Sequence, residues 1–217
     1  MKASGDTVEA IPLYEELLVE ARDQDPASEA RMLAQLAQLV AFEGSYARAA
    51  DLAREALDLA QRSGDSSTAV VAQIELAFHA LREGASAETL LRDALLAARE
   101  LRWFEICAAA LVGAATATSN VDPSTTARLV GASDAQMEEA GVEPDPYDQA
   151  RRAHVLATLE EWLEAEELDR LLDEGRAMTL DEAVEYALAA LAASSKRSTA
   201  NWREDRRADG ASRPELA

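Results

Sequence analysis

What this chain lacks narrows what it can be. Among 217 residues there is one cysteine, Cys107, and there are two histidines, His79 and His154. One thiol cannot close an intrachain disulfide, which removes the cross-linked framework of small secreted domains. The two histidines stand 75 residues apart, outside any HExxH or CxxC context, so no metal site is expected. Phosphate cradles are missing too: neither GxxxxGK[ST] nor GxGxxG occurs. No serine sits in a nucleophile-elbow context. β-Branched and aromatic residues are sparse, and no stretch alternates with period two for long enough to suggest a sheet. The longest uncharged run, ICAAALVGAATATSNV from Ile106 to Val121, has 16 residues, short of the roughly 20 apolar ones a membrane span needs. No apolar signal core opens the chain, so the expected location is cytoplasmic and no membrane partner is expected.

Basic charge is also short. The net charge is -20, from 21 Lys and Arg against 41 Asp and Glu. A phosphate-backbone binder needs clustered Lys and Arg, so direct nucleic-acid binding is not expected. The imbalance is uneven. From Ser194 onward six basic residues outnumber four acidic ones, while the body carries 15 basic against 37 acidic, which favours basic or neutral partners. These absences together predict no catalytic residue, no cofactor and no metal ligand. The sequence reads as a non-enzyme.

What is there is alanine and leucine at helical spacing, arranged in a repeat. LAQLAQLVAFEGSYARAADLAREALDLA (Leu33 to Ala60) reads helix, turn at Gly44, helix; AQIELAFHALREGASAETLLRDALLAA (Ala72 to Ala98) repeats the plan around Gly84. The first helices align with a period of 40, Leu36 on Leu76 and Ala37 on Ala77. The second helices align with a period of 38, Ala49 on Ala87 and Ala56-Leu57 on Ala94-Leu95. The opening stretch, GDTVEAIPLYEELL, fits the second-helix template, with Gly5, Ala10, Tyr14 and Leu17-Leu18 in the matching places. Small residues let helices cross closely while Leu and Tyr fill between them. This is the tetratricopeptide pattern, longer than the standard 34 residues by about one helical turn.

Punctuation predicts roughly ten helices. Asp25-Pro26, Asp122-Pro123 and Asp145-Pro146 each set a capping acid before a first-turn proline. Ser45, Ser66 and Ser86 are candidate caps after turns, and Thr179 to Glu182 is a capping box. Pro12 predicts that the first helix starts late or kinks near Ile11. The expected fold class is all-α: a tetratricopeptide-like right-handed array of antiparallel hairpins over residues 1–143, its first repeat incomplete. A C-terminal helical cap follows over 144–193, and a disordered tail over 194–217. The lone large apolar residue of that tail, Trp202, reads as an incidental exposed aromatic.

Three stretches imitate chemistry. Cys107 in WFEICAAALVGAA sits on an apolar face, so its thiol should be buried and inert. The acidic run EEWLEAEELDRLLDEG turns its acids in every direction around a stripe of Leu163, Leu168, Leu171 and Leu172, a solvated face with pairs such as Glu166 with Arg170. TTARLVGASDAQMEEAG looks like a helix-turn-helix with Gly131 at the turn, but offers Asp134, Glu138 and Glu139 where a recognition helix needs basic or amide groups.

Surface recognition is what remains. In such an array the first helices line a concave groove, which places Arg31, Gln38 and Phe42 on one face with Phe78 and Arg82. Arg and Phe there would anchor a carboxylate and an apolar side chain of a bound protein or peptide segment, or of a small effector. The alternative for each Phe is packing between neighbouring helices. At the other edge Ile11, Tyr14, Leu17 and Leu18 have no partner on their N-terminal side, which predicts exposed apolar surface or self-association through it.

The words A-R-L-x-G-A at Ala127 to Ala132 and E-G-R-A-M-T-L-D-E-A-V at Glu174 to Val184, with the repeats before them, resemble the C-terminal region of large bacterial ATP-dependent regulators. These are the LuxR-type and cyclase-linked signalling proteins, and the resemblance spans about residues 5–193. It implies a helical sensor region, and so signalling or transcription regulation through partner proteins. The phosphate loop and output domain of that family are absent from this sequence, so neither ATPase, cyclase nor DNA-binding activity carries over. The opening half-hairpin suits a fragment or stand-alone derivative of such a sensor region.

Overall fold

The computed structural model describes the backbone of residues 3–22 and 24–211, and the side chains of 10–22 and 24–195. The described residues form ten helices and no strand: α1 (Ala3–Arg22), α2 (Pro26–Phe42), α3 (Tyr46–Ser63), α4 (Ser66–Arg82), α5 (Glu88–Glu100), α6 (Phe104–Thr118), α7 (Pro123–Ala140), α8 (Pro146–Glu160), α9 (Ala165–Arg176) and α10 (Leu180–Ala211).

The capping acids set three of the starts. Asp25 accepts from the amides of Ala27 and Ser28, Asp122 from Thr125, and Asp145 from Tyr147 and Asp148. Thr179 and Glu182 form the reciprocal box, Thr179 N–H donating to Glu182 Oε2 at 2.9 Å and Glu182 N–H to Thr179 Oγ1 at 3.3 Å. The serine caps fare differently. Ser45 caps no amide, Asp65 takes the place expected of Ser66, and Ser86 bonds Glu88 N at 3.4 Å from just outside α5. Aspartate competes better because its charged oxygens also answer the helix dipole. Gly44 and Gly84, the two repeat turns, take φ of +92° and +69°, which only glycine adopts without strain.

α1 runs through Pro12 without starting late. Pro12 is exposed, so the amide donor it lacks is missing on the side where water can stand in. The face that α1 buries also differs from expectation. Ile11 and Leu18 pack into the core, Tyr14 is half-buried, and the exposed apolar residues are Leu13, Leu17 and Val19.

Each helix from α1 to α7 packs on the next, and α2 also touches α4 and α4 touches α6. The aligned alanines share their burial, Ala37 with Ala77, Ala49 with Ala87 and Ala56 with Ala94 all inside, whereas Leu36 and Leu95 are buried and their counterparts Leu76 and Leu57 half-buried. One core gathers α1 to α4; the second runs from Val70 and Leu91 through Leu111 and Leu129 to Leu171 and Leu191. Residues of α8, α9 and α10 share this core with α4 to α7. α9 lies on α7, and α10 lies across α5, α6 and α7. Asp134 of α7 ties the end together, bonding Arg152 of α8 through both carboxylate oxygens at 2.5 and 2.7 Å and Arg176 of α9 at 3.1 Å.

α7 is unbroken across Gly131, so the helix-turn-helix imitation has no turn. Arg170 pairs with Glu174 and Glu167 in place of Glu166. The helical backbone of α10 continues past Ser194, where order was expected to end, as far as Ala211. The stretch lacks a core pattern, but it holds four arginines and three alanines and no proline interrupts it before Pro214. The Trp202 side chain lies outside the described residues. No described helix is long and apolar enough to cross a membrane.

Candidate functional site

Two helices build the site, each through a stripe spaced at i, i+3, i+4 and i+7. α4 supplies Glu75, Phe78, His79 and Arg82; α8 supplies Tyr147, Ala150, Arg151 and His154. That spacing puts each quartet on one face of its helix. The faces meet across a groove of about 1170 Å³, also lined by Tyr46 and Ala50 of α3, Thr116 and Ala117 of α6, Ser119 to Val121 after it, and Leu191 and Ser194 of α10.

A buried ion pair locks the two helices. Arg151 Nη2 donates to Glu75 Oε2 at 2.7 Å, with the two side chains 9% and 3% exposed. The Tyr147 hydroxyl joins them, donating to the same oxygen at 3.2 Å and accepting from Arg151 Nη2 at 2.5 Å. Rings clamp the guanidinium from both sides, its carbon lying 3.8 Å from the Phe78 centroid and 3.7 Å from that of Tyr147. Phe42 of α2 meets Tyr147 edge-on at 5.8 Å. Helices α2, α4 and α8 thus converge on one aromatic and ionic knot.

Electrostatics follow the burial. Burial works against the Arg151 charge, but Glu75, Tyr147 and Asp148 hold the guanidinium more firmly protonated than usual. Burial, with Glu75 beside it, pushes the Tyr147 phenol upward. Asp148 lies 3.5 Å from Arg151, yet burial and the nearby Asp145 raise its carboxyl to about 6. At the groove rim Arg82 lies 3.5 Å over the Tyr46 ring and makes no ion pair among the described residues.

Of the five groove residues read from sequence, Phe42, Phe78 and Arg82 line this groove together. Both Phe residues also pack against α8, Phe42 on Tyr147 and Phe78 on Arg151. Arg31 is elsewhere, beside a small hollow under α1 with Leu17 and Met32, and pairs with Asp65 at 3.7 Å. It lies in the first half of α2, whose far end, at Phe42, reaches the groove. Gln38 is half-buried and lines neither space. Sequence reading passed over Glu75, Tyr147 and Arg151. A glutamate inside the apolar run VAQIELAF was the one available signal; its partner stands 76 residues away.

Neither histidine hydrogen-bonds a carboxylate through its ring, and among the described residues no group of three or more His, Cys, Asp or Glu side chains could hold a metal. Cys107 is fully buried, its thiol pushed up to about 12 by burial. Comparisons with protein-family models, curated proteins and solved structures find no match.

Proposed function

We propose that this chain is a non-enzymatic interaction module, a tetratricopeptide-like right-handed array whose groove holds a protein segment or a small effector. The groove between α4 and α8 carries the reading. It combines aromatic faces from Phe42, Phe78 and Tyr147 with an unpaired rim cation, Arg82, the mixture that anchors bound segments. Successive packing from α1 to α7, with α2 on α4 and α4 on α6, is the neighbour pattern of stacked hairpins. Against catalysis, His79 and His154 reach the groove without a hydrogen-bonded acid or nucleophile, the pairing a general base needs.

The likeness to the sensor region of ATP-dependent regulators makes signalling or transcription regulation through partner proteins the cellular context we infer, in the cytoplasm. The two words that carry it pack together, Gly175 of one lying against the backbone of Arg128 and Ala132 of the other.

A displayed peptide library selected on the full chain tests the reading. Peptides it yields should lose at least tenfold in affinity on Ala150→Trp, which fills the groove from an exposed position of α8. Selected peptides indifferent to that substitution, or tight and salt-sensitive binding of labelled DNA, would count against it.

A further inference from the structure

The groove face of α4 carries an acid, a ring, an imidazole and a guanidinium in order: Glu75, Phe78, His79 and Arg82. Glu75 is 4% exposed, and only half of its carboxylate is used. Oε2 accepts from Arg151 and Tyr147, while Oε1 has no partner. One turn further, Nδ1 of His79 is equally shielded and equally without a partner. Native proteins leave few buried polar atoms unpaired, and two in the wall of one open groove point to a group that arrives from outside. A carboxylate oxygen only accepts, and so does the bare nitrogen of a neutral imidazole, so an N–H donor suits each.

Charge selects the kind of donor. Arg151 stands between two carboxylates, Glu75 at 2.7 Å and Asp148 at 3.5 Å. With both ionised the cluster is one positive charge short, which favours an ammonium or guanidinium over a neutral amide. At the other end of the stripe, seven residues and about 10 Å along the axis, Arg82 stacks on Tyr46. Stacking fixes the guanidinium plane and leaves its N–H edge open to a carboxylate.

We propose that the groove takes a ligand with a primary ammonium or guanidinium at one end, seated on Glu75 and His79, and a carboxylate at the other, held by Arg82. The aliphatic stretch between them lies over Phe78. A free ω-amino acid and the C-terminal lysine of a peptide share this chemistry. The proposal rests on the groove being a binding site and names what it binds.

The full-length chain, labelled with 15N, is titrated with 6-aminohexanoate, hexylamine, hexanoate and an N-acetylated Gly-Gly-Lys peptide with a free carboxylate, read by amide and His79 imidazole shifts. Expected is binding of 6-aminohexanoate at least tenfold tighter than of either single-ended probe. Arg82→Gln should bring it to the level of hexylamine, and Glu75→Gln to the level of hexanoate. Because Glu75→Gln disturbs a buried pair, His79→Phe gives a second reading at the same end. Tighter binding of the peptide assigns a protein C-terminus as ligand; equal binding assigns the free ω-amino acid. Equal affinity for the first three probes, or a His79 Nδ1 that already carries a hydrogen-bonded proton and ignores them, overturns the proposal. If library peptides still depend on Ala150 while none of these probes binds, the groove stands and this ligand assignment falls.

Discussion

Gly131 of α7 and Gly175 of α9 sit where the two helices touch backbone to backbone. A Cβ on Gly131 would fall 2.0 Å from the Leu172 carbonyl oxygen, and one on Gly175 would fall 2.0 Å from that of Arg128. Backbone cannot step aside as a side chain can. Gly131→Ala and Gly175→Ala should each cost at least about 2 kcal/mol by forcing the helices apart, or roughly 4–8 °C of Tm for a chain of this size. Gly113→Ala meets the Leu91 side chain instead, which can rotate, and should cost less. Thermal unfolding of the three variants checks the order.

Removing one partner of the Glu75–Arg151 pair leaves a charge buried against rings. Arg151→Met alone should lose about 3–5 kcal/mol, and adding Glu75→Leu should recover much of that loss. A double-mutant cycle in urea measures it. Additive losses would show that the two charges do not depend on each other.

Asp148 ties stability to pH. Its carboxyl is raised from 3.8 to about 6 by burial and by Asp145, so the folded state binds the proton more tightly than the unfolded one. The proton favours folding below about pH 4, and that contribution is lost as pH rises through 6. Asp148→Asn should therefore flatten the stability profile between pH 4 and 6 and stabilise the protein at pH 7 by about 1–3 kcal/mol. Urea midpoints at several pH values read this out, and an unchanged slope would rule the account out.

Cys107 should resist thiol reagents in the folded protein. It is fully buried with its thiol held near 12, so little thiolate forms at neutral pH. Labelling should follow opening of the fold and speed up in urea. Labelling of the native protein as fast as that of a free thiol would contradict the burial.

Helix identity was legible because its causes are local. Asp25, Asp122 and Asp145 before proline, the Thr179–Glu182 box and the two turn glycines act within a few residues. So does the register that buries Ala37 with Ala77. A few of the groove's lining residues were legible for the same reason, since Phe42, Phe78 and Arg82 follow from position in a repeat. Arg31 and Gln38 were misplaced because lateral position along a helix depends on where neighbouring helices end. Which residues of α1 turn inward was not legible, because burial there is decided by how α2 and α3 meet it.

The amino-acid order by itself determined an all-helical chain punctuated by capping acids and seamed with alanine, since propensity, capping and period are short-range effects. Only the tertiary structure decided that α8 returns to α4, joining Arg151 to Glu75, and that Gly131 meets the backbone of Leu172 and Gly175 that of Arg128. Such contacts join residues more than 40 positions apart, and packing brings them together without a mark in the stretches between.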